Sequence, residues 1–276
     1  MIEVSNISFN YAGQKAQVFE DFSLRLEANN IYGLLGKNGT GKSTLLYLVS
    51  GLLRPKKGAV RFDGVETCKR LPETLQEIFI VPEEFDLPMM SLNDYVRINK
   101  PFYPRFSQEV LENCLNDFEL TTDLKLNALS MGQKQKVFMS CALAAGTKLL
   151  LMDEPTNGLD IPSKSQFRSI LSKIADEGKT IIISTHQVKD VENLIDPIVI
   201  LSHNAVLLDA SVQKITEMLY FEYGGEKRDD ALYSEMLPGG YMNVVANQTG
   251  EESQLNIEAL FNAVLRNKNT IKELFK

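Results

Sequence analysis

The sequence has no tryptophan, only two histidines and only three cysteines in 276 residues. Cys68, Cys114 and Cys141 stand far apart, with no C-x-x-C spacing. That excludes a cysteine zinc site and a disulfide framework, and it suits free thiols in a reducing cytosol. Long apolar runs are also missing. The longest, "KLLLMD" and "TIIIST", are strand-length, whereas a membrane-spanning helix needs about 20 residues. The chain is therefore not expected to cross a bilayer by itself. Its start, "MIEVSNISFNYAG", has no basic segment followed by an apolar one, so no secretory leader is expected. Positive charge is in deficit: 29 Lys and Arg stand against 36 Asp and Glu, a formal net charge of −7. Nucleic acid is disfavoured as a general partner on that balance, although a local basic patch is not.

What is present is an ordinary globular composition, 44% hydrophobic and 24% charged, on a chain long enough for one large core with smaller attachments. "MIEVSNISFNY" and "VFEDFSLRLEA" alternate apolar and polar positions and read as antiparallel strands around "AGQKA". "IYGLL" reads as a buried strand, "LLYLVSGLL" as a helix, "GAVRFDG" as a hairpin strand and "EIFIVP" as a short buried strand. From about residue 88 to 145 the pattern turns helical, in "SLNDYVRINKPFY", "SQEVLENCLNDFEL" and "QKQKVFMSCALAAG". Strands and helices then alternate: "KLLLMD", a helix over 163–178, "TIIIST", a helix over "QVKDVENLID", then "IVILSHN" and "AVLLDA". Such alternation predicts a parallel sheet covered by helices. Residues 211–276 read as a small α+β appendage carrying no recognisable chemistry.

The chemistry is concentrated in three places. "GKNGTGKS", Gly36 to Ser43, fits G-x-x-x-x-G-K-[ST] between a strand and a helix. In that context Gly36, Gly39 and Gly41 let the backbone wrap a phosphate, with Asn38, Thr40 and Thr44 in or beside the loop. Successive N–H groups and the helix N-terminus then face the anion. Lys42 can reach the β- and γ-phosphates and Ser43 can ligate Mg²⁺. The competing reading is a glycine-rich turn that only caps a helix. Second, "KLLLMDEP" delivers Asp153 and Glu154 to a strand tip, Asp153 for Mg²⁺ and Glu154 as a base that orients water. Both acids could instead cap the turn "EPTNGLD". Third, His186 ends "TIIIST" at the same sheet edge and suits a γ-phosphate contact, whereas His203 has no such context.

The order "GKNGTGKST", "LSMGQ", "LLLMDEP", "NGLD", "STH" resembles the nucleotide-binding subunit of ABC transporters over residues 1 to 210. The resemblance implies a P-loop core with a parallel sheet, an N-terminal antiparallel β-layer and the helical insert at about 88–145. It implies ATP as substrate with Mg²⁺, and a head-to-tail dimer, with itself or a homologous subunit, in which Ser130, Gly132 and Gln133 of "LSMGQ" complete the partner's site. Tyr11 would stack on adenine, or be an ordinary strand aromatic. Asp160 would sit at the dimer seam, or cap the next helix. A separate integral-membrane permease is implied, with this chain cytoplasmic and peripheral on the inner face of the cell membrane, and the groove beside Glu83 and the helical insert, "EFDLPMMSLNDYV", as docking surface. Leu87, Met89 and Met90 there could be docking or core residues.

Two positions depart from the family pattern. Met131 replaces the first glycine of Ser-Gly-Gly-Gln, and Glu83 replaces the usual glutamine, with Glu84 as the offset alternative. A carboxylate at 83 would bind metal more strongly yet repel triphosphate, so Glu83 is expected to keep a metal role with altered kinetics. The expected function is ATP-driven transport, with a lean toward export. The rivals are a soluble ABC-type ATPase acting on nucleic acid or ribosomes, and a non-hydrolysing ATP clamp.

Overall fold

The computed structural model describes residues 1–174 and 178–275. Alternating burial along β1 (Ile2–Phe9) and β2 (Phe19–Leu26) follows their alternating sequence, so one face of each is apolar. They pair antiparallel, and β1 also pairs with β4 (Lys57–Phe62), which turns through Asp63-Gly64 into the short β5 (Val65–Glu66). The sheet order is β2-β1-β4-β5.

The second sheet is built from β3 (Ile31–Gly36), β6 (Ile78–Val81), β7 (Leu149–Asp153), β8 (Thr180–Thr185), β9 (Ile198–Ser202) and β10 (Ala205–Ala210), in the order β10-β9-β3-β8-β7-β6. β10 joins antiparallel and every other pairing is parallel. β7, β8 and β9 are buried throughout, as parallel strands covered on both faces must be. Successive residues serve opposite faces. Leu149, Leu151, Ile182 and Val199 pack with α1 (Lys42–Val49) and the antiparallel layer. Leu150, Met152, Ile181 and Ile183 pack on the other side, against α5 (Met131–Ala144) and α6 (Ile161–Ile174). The predicted end of this last helix, at 175–177, lies outside the described residues.

Between β5 and β6 lies one turn of helix, α2 (Pro72–Leu75), and between β6 and β7 comes the helical insert: α3 (Leu92–Asn99), α4 (Gln108–Asp117) and α5. Ser91 and Ser107 cap the first two by accepting from the N–H of Asp94 and Val110. Leu92, Leu111, Leu115, Leu126 and Val137 give the insert a core of its own. Of the apolar residues before α3, Leu87 is buried, Met90 packs against that core and Met89 is exposed. Arg105 ties the insert to the sheet: its guanidinium holds both oxygens of Glu77, and its Nε donates to Gly146 O at 2.7 Å. That fork holds the Glu77 carboxyl below its ordinary value.

One predicted helix is absent. "QVKDVENLID" forms only a 3-10 turn over Val188–Asp190, with i→i−3 bonds from Val191 N and Leu194 N. Asp196 N bonds Ile31 O and Pro197 O accepts from Gly33 N, so the chain must return to β3 within a few residues. The apolar spacing that suggested a helix still buries Val191 and Ile195.

Beyond residue 210, α7 (Val212–Met218) runs directly into β11 (Leu219–Gly224). Then come β12 (Tyr233–Leu237), β13 (Gly240–Ala246), α8 (Ile257–Arg266) and α9 (Lys268–Leu274). The three strands form an antiparallel sheet, β11-β13-β12. Phe221 and Val244 of this sheet and Leu260 and Val264 of α8 belong to the same apolar cluster as Ile198, Ile200 and Leu208 of the large sheet.

Candidate active site

The carboxyl ends of β3, β7 and β8 lie side by side, with Leu35 opposite Thr185 and Asp153 opposite Ser184. Ligands of open α/β sheets bind at such an edge. β3 ends in Gly36, where a Cβ would sit 2.6 Å from Thr40 Oγ1 and 3.0 Å from Leu201 O, so only glycine permits the turn. Gly41 has φ +98, and a Cβ there would meet the Phe19 ring at 2.8 Å. The loop between them leads into α1, whose first residue is Lys42. Lys42 is buried, and its ammonium donates to Gly36 O at 2.8 Å and Lys37 O at 3.4 Å. Desolvation lowers its pKa, opposed by the carboxylates of Glu154, Asp153 and Glu83. A cation held this way against backbone carbonyls is primed for an anion.

Asp153 is 1% exposed. The Ser184 hydroxyl donates to its Oδ1, while its buried Oδ2 has no hydrogen-bond partner among the described residues. Glu154 follows with φ +46, a left-handed conformation that costs a glutamate about 1 kcal/mol or more. The turn aims its carboxylate back at the strand tips. Oε2 accepts from the Thr185 hydroxyl at 3.0 Å and from His186 N at 3.3 Å. Oε1 lies 2.8 Å from His186 Nδ1 and 3.9 Å from Lys42 Nζ. Because a carboxylate only accepts, Nδ1 is the donor and carries the proton.

Tyr11 reaches down from the end of β1, its hydroxyl 3.0 Å from Thr44 Oγ1 and its ring edge-on to Phe9. A recess of about 380 Å³ opens here, walled by Tyr11, Asn38, Ser43, Glu83, Glu154 and His186. Glu83, not Glu84, lines it. Ser130, Gly132 and Gln133 are absent from its walls. They open α5 as a capping box: Gln133 N donates to Ser130 Oγ at 3.3 Å and Ser130 N to Gln133 Oε1 at 3.0 Å. Within the single chain Ser130 and Gln133 therefore cap the apolar helix that follows them. Asp160 caps α6 in the same fashion, accepting at Oδ1 from Ser163 N at 2.9 Å and from the Ser163 hydroxyl. Those bonds hold its carboxyl below the ordinary value. Met131 and Ile161 are both exposed beside these caps, at 62% and 84%.

A model of the ABC transporter family matches residues 19–157. The chain belongs to that family. This ABC subunit is 31% identical over 208 residues to the ATP-binding protein YtrB of Bacillus subtilis, covering 75% of the chain and 70% of YtrB. It is likewise 31% identical over 230 residues to the methionine import ATP-binding protein MetN of Carboxydothermus hydrogenoformans, covering 78% and 67%. Among solved structures, a dimeric ATP-binding cassette in a post-hydrolysis state with ADP and Pi superposes with a TM-score of 0.68 at 25% identity, covering 77% of this chain and 99% of that one. The ABC subunit binds and hydrolyses ATP on a P-loop α/β core. Among the described residues no helix is long and apolar enough to cross a membrane.

Mg²⁺ fits the residues present. Asp153 itself is not on the wall of the recess, but it directly precedes Glu154, its Oδ2 has no partner among the described residues, and Ser43 and Glu83 on the wall add hard oxygens. No group of three His, Cys, Asp or Glu that could cage a metal occurs among the described residues, so the ion would take its other ligands from phosphate and water, as Mg²⁺ does. Ser184 and Thr185, which orient the two carboxylates, were missed by sequence reasoning although they stand directly before His186. Ser184→Ala strips a buried aspartate of the hydroxyl that donates to it. Chemical denaturation should read a loss of about 1–3 kcal/mol, and the Mg²⁺ concentration for half-maximal hydrolysis should rise.

Proposed function

We propose that the recess is an ATP-hydrolysing site in which Glu154 holds the attacking water, His186 and Lys42 contact the γ-phosphate, and Ser43, Asp153 and Glu83 hold Mg²⁺. The observation that carries this is the Glu154 carboxylate, fixed by Thr185 and His186 within 3.9 Å of the phosphate-loop lysine. An anchored carboxylate beside a phosphate-binding cation is placed to polarise water without reorganisation. Mg²⁺, when bound, would neutralise phosphate charge as it develops. Tyr11 would carry the adenine, exchanging its bond to Thr44 for stacking.

The site is completed by a second copy or a homologous subunit, head to tail. Ser130, Met131 and Gly132 lie at an exposed helix N-terminus outside their own recess, where they can offer donors to another chain's phosphate. Asp160 and the exposed Ile161 would then lie along the seam. The structural relative described as dimeric supports this arrangement. Hydrolysis measured across protein concentration tests it: the rate per chain should climb as dimers form and then level off. A constant rate in a proven monomer would remove the shared site.

A permease of separate chains would dock in a groove of about 660 Å³ between β6 and the insert, where Phe79, Tyr95, Phe102 and Phe138 line an apolar floor; Glu83, Leu87, Met89 and Met90, expected to border the docking surface, are not on its walls. Docking would hold the subunit peripherally at the membrane face. The named importer among its relatives lends the lean toward export no support. The clamp alternative is weakened by Glu154 and His186 being in contact, and the nucleic-acid alternative by the net charge of −7.

A further inference from the structure

Three loops meet beside the recess, through Glu83 on its wall and two amide side chains, Asn157 and Gln187, that the hydrolytic assignment does not use. Glu83 follows β6, Asn157 lies in the turn after Glu154, and Gln187 follows His186. Asn157 Nδ2 donates to Glu83 Oε1 at 2.9 Å, and Gln187 Nε2 donates to Asn157 Oδ1 at 2.8 Å. Lys164 Nζ, on α6, donates to Gln187 Oε1 at 3.1 Å and pairs with Asp190 at 2.7 Å.

The two ends fix the direction of this file. An ammonium can only donate and a carboxylate can only accept, so each amide between them has a single satisfied orientation. Every bond therefore points from Lys164 toward Glu83, and bonds aligned in series strengthen one another. The amides are themselves anchored to the hydrolytic centre. Asn157 N donates to Glu154 O at 3.0 Å, and Gln187 N donates to Thr185 Oγ1 at 2.9 Å, the hydroxyl that binds Glu154. Glu83 is exposed on its loop, and a free glutamate there would sample many rotamers and lose them on binding a metal. Held at Oε1, it keeps Oε2 available on the wall it shares with Ser43.

We propose that Lys164, Gln187 and Asn157 form a one-way hydrogen-bond file that presents the Glu83 carboxylate to the divalent cation of the nucleotide. Asn157 and Gln187 are thus positioning residues for Glu83, and Lys164 sets their polarity. The inference rests on the recess being the nucleotide site. It also accounts for the glutamate: a glutamine at 83 would supply a neutral acceptor and leave the file without its anionic end.

The test uses the full chain with Gln187→Leu, Glu83→Ala and the double variant, and two readouts. Binding of a fluorescent ATP analogue in EDTA reports the nucleotide site alone, and Mn²⁺ binding to the nucleotide-loaded protein, followed by electron paramagnetic resonance, reports the metal. Gln187→Leu should leave the first within about twofold and weaken Mn²⁺ about fivefold to tenfold, the latter equal to about 1.4 kcal/mol. In the Glu83→Ala background the same substitution should change Mn²⁺ binding by less than about twofold, since its effect passes through Glu83. Lys164→Gln, on the far end of the file, should weaken Mn²⁺ in the same sense, which keeps the test alive should Gln187→Leu fold poorly. Additive losses, or unchanged Mn²⁺ affinity in both Gln187→Leu and Lys164→Gln, would overturn the file while leaving the nucleotide site intact. No binding of the analogue by the wild-type chain would overturn the site itself.

Discussion

Glu154→Gln should cut ATP turnover by about 10²–10⁴-fold, the usual contribution of a positioned general base, and leave ATP binding in place. The amide is nearly isosteric and can still accept at its oxygen from Thr185 and His186 N. It cannot take a proton from water. Removing the carboxylate also frees Lys42 of a negative neighbour at 3.9 Å, so nucleotide affinity should hold or improve. With binding kept and hydrolysis lost, the variant should accumulate as an ATP-bound dimer, visible as a larger species in size-exclusion chromatography with Mg-ATP and absent without it. A variant that hydrolyses ATP at the wild-type rate would remove Glu154 from its assigned role.

Two inactive chains should restore activity to each other when mixed. Lys42→Ala destroys the phosphate loop. Ser130→Asp keeps an N-cap residue on α5, so the helix survives, but sets a carboxylate where it would face the partner's triphosphate. Either chain alone carries the defect in both sites of a homodimer. In a mixed dimer one site has both defects and the other has none. Random pairing of equal amounts should therefore return roughly a quarter of the wild-type rate, because half of the dimers are mixed and half of their sites are whole. Sites built within one chain would give no recovery at any ratio, so the mixture discriminates more sharply than either variant does alone.

Much of the core was legible because its signals are local. "KLLLMD" and "TIIIST" are buried strands because nothing else accommodates such runs at that length. The phosphate loop is equally legible, since at Gly36 and Gly41 a Cβ would run into the chain around it. Long-range polar contacts were not. Nothing in the sequence marks Asn157 as the neighbour of Glu83, 74 positions away, or Gln187 as the neighbour of Asn157. The misread segment, "QVKDVENLID", has helical spacing of apolar residues, but the pull of Asp196 and Pro197 onto β3 decides its conformation. Local pattern lost there to a tertiary constraint. At Asp160 the sequence held two readings open, and the single chain satisfies the capping one; Ser130, read only as part of the partner's site, turns out to cap its own helix as well, and both residues stay exposed.

The apolar cluster that runs from the large sheet into the C-terminal one has a consequence for how the chain is made. Ile198, Ile200 and Leu208 are covered in part by Leu260 and Val264, which are synthesised later. On the ribosome β9 and β10 therefore emerge with part of one face bare, and they stay so until α8 and α9 arrive. Translation order makes the C-terminal segment a closing lid on the nascent ATPase, and a ribosome that stalls before α8 leaves a sticky intermediate instead of a small enzyme.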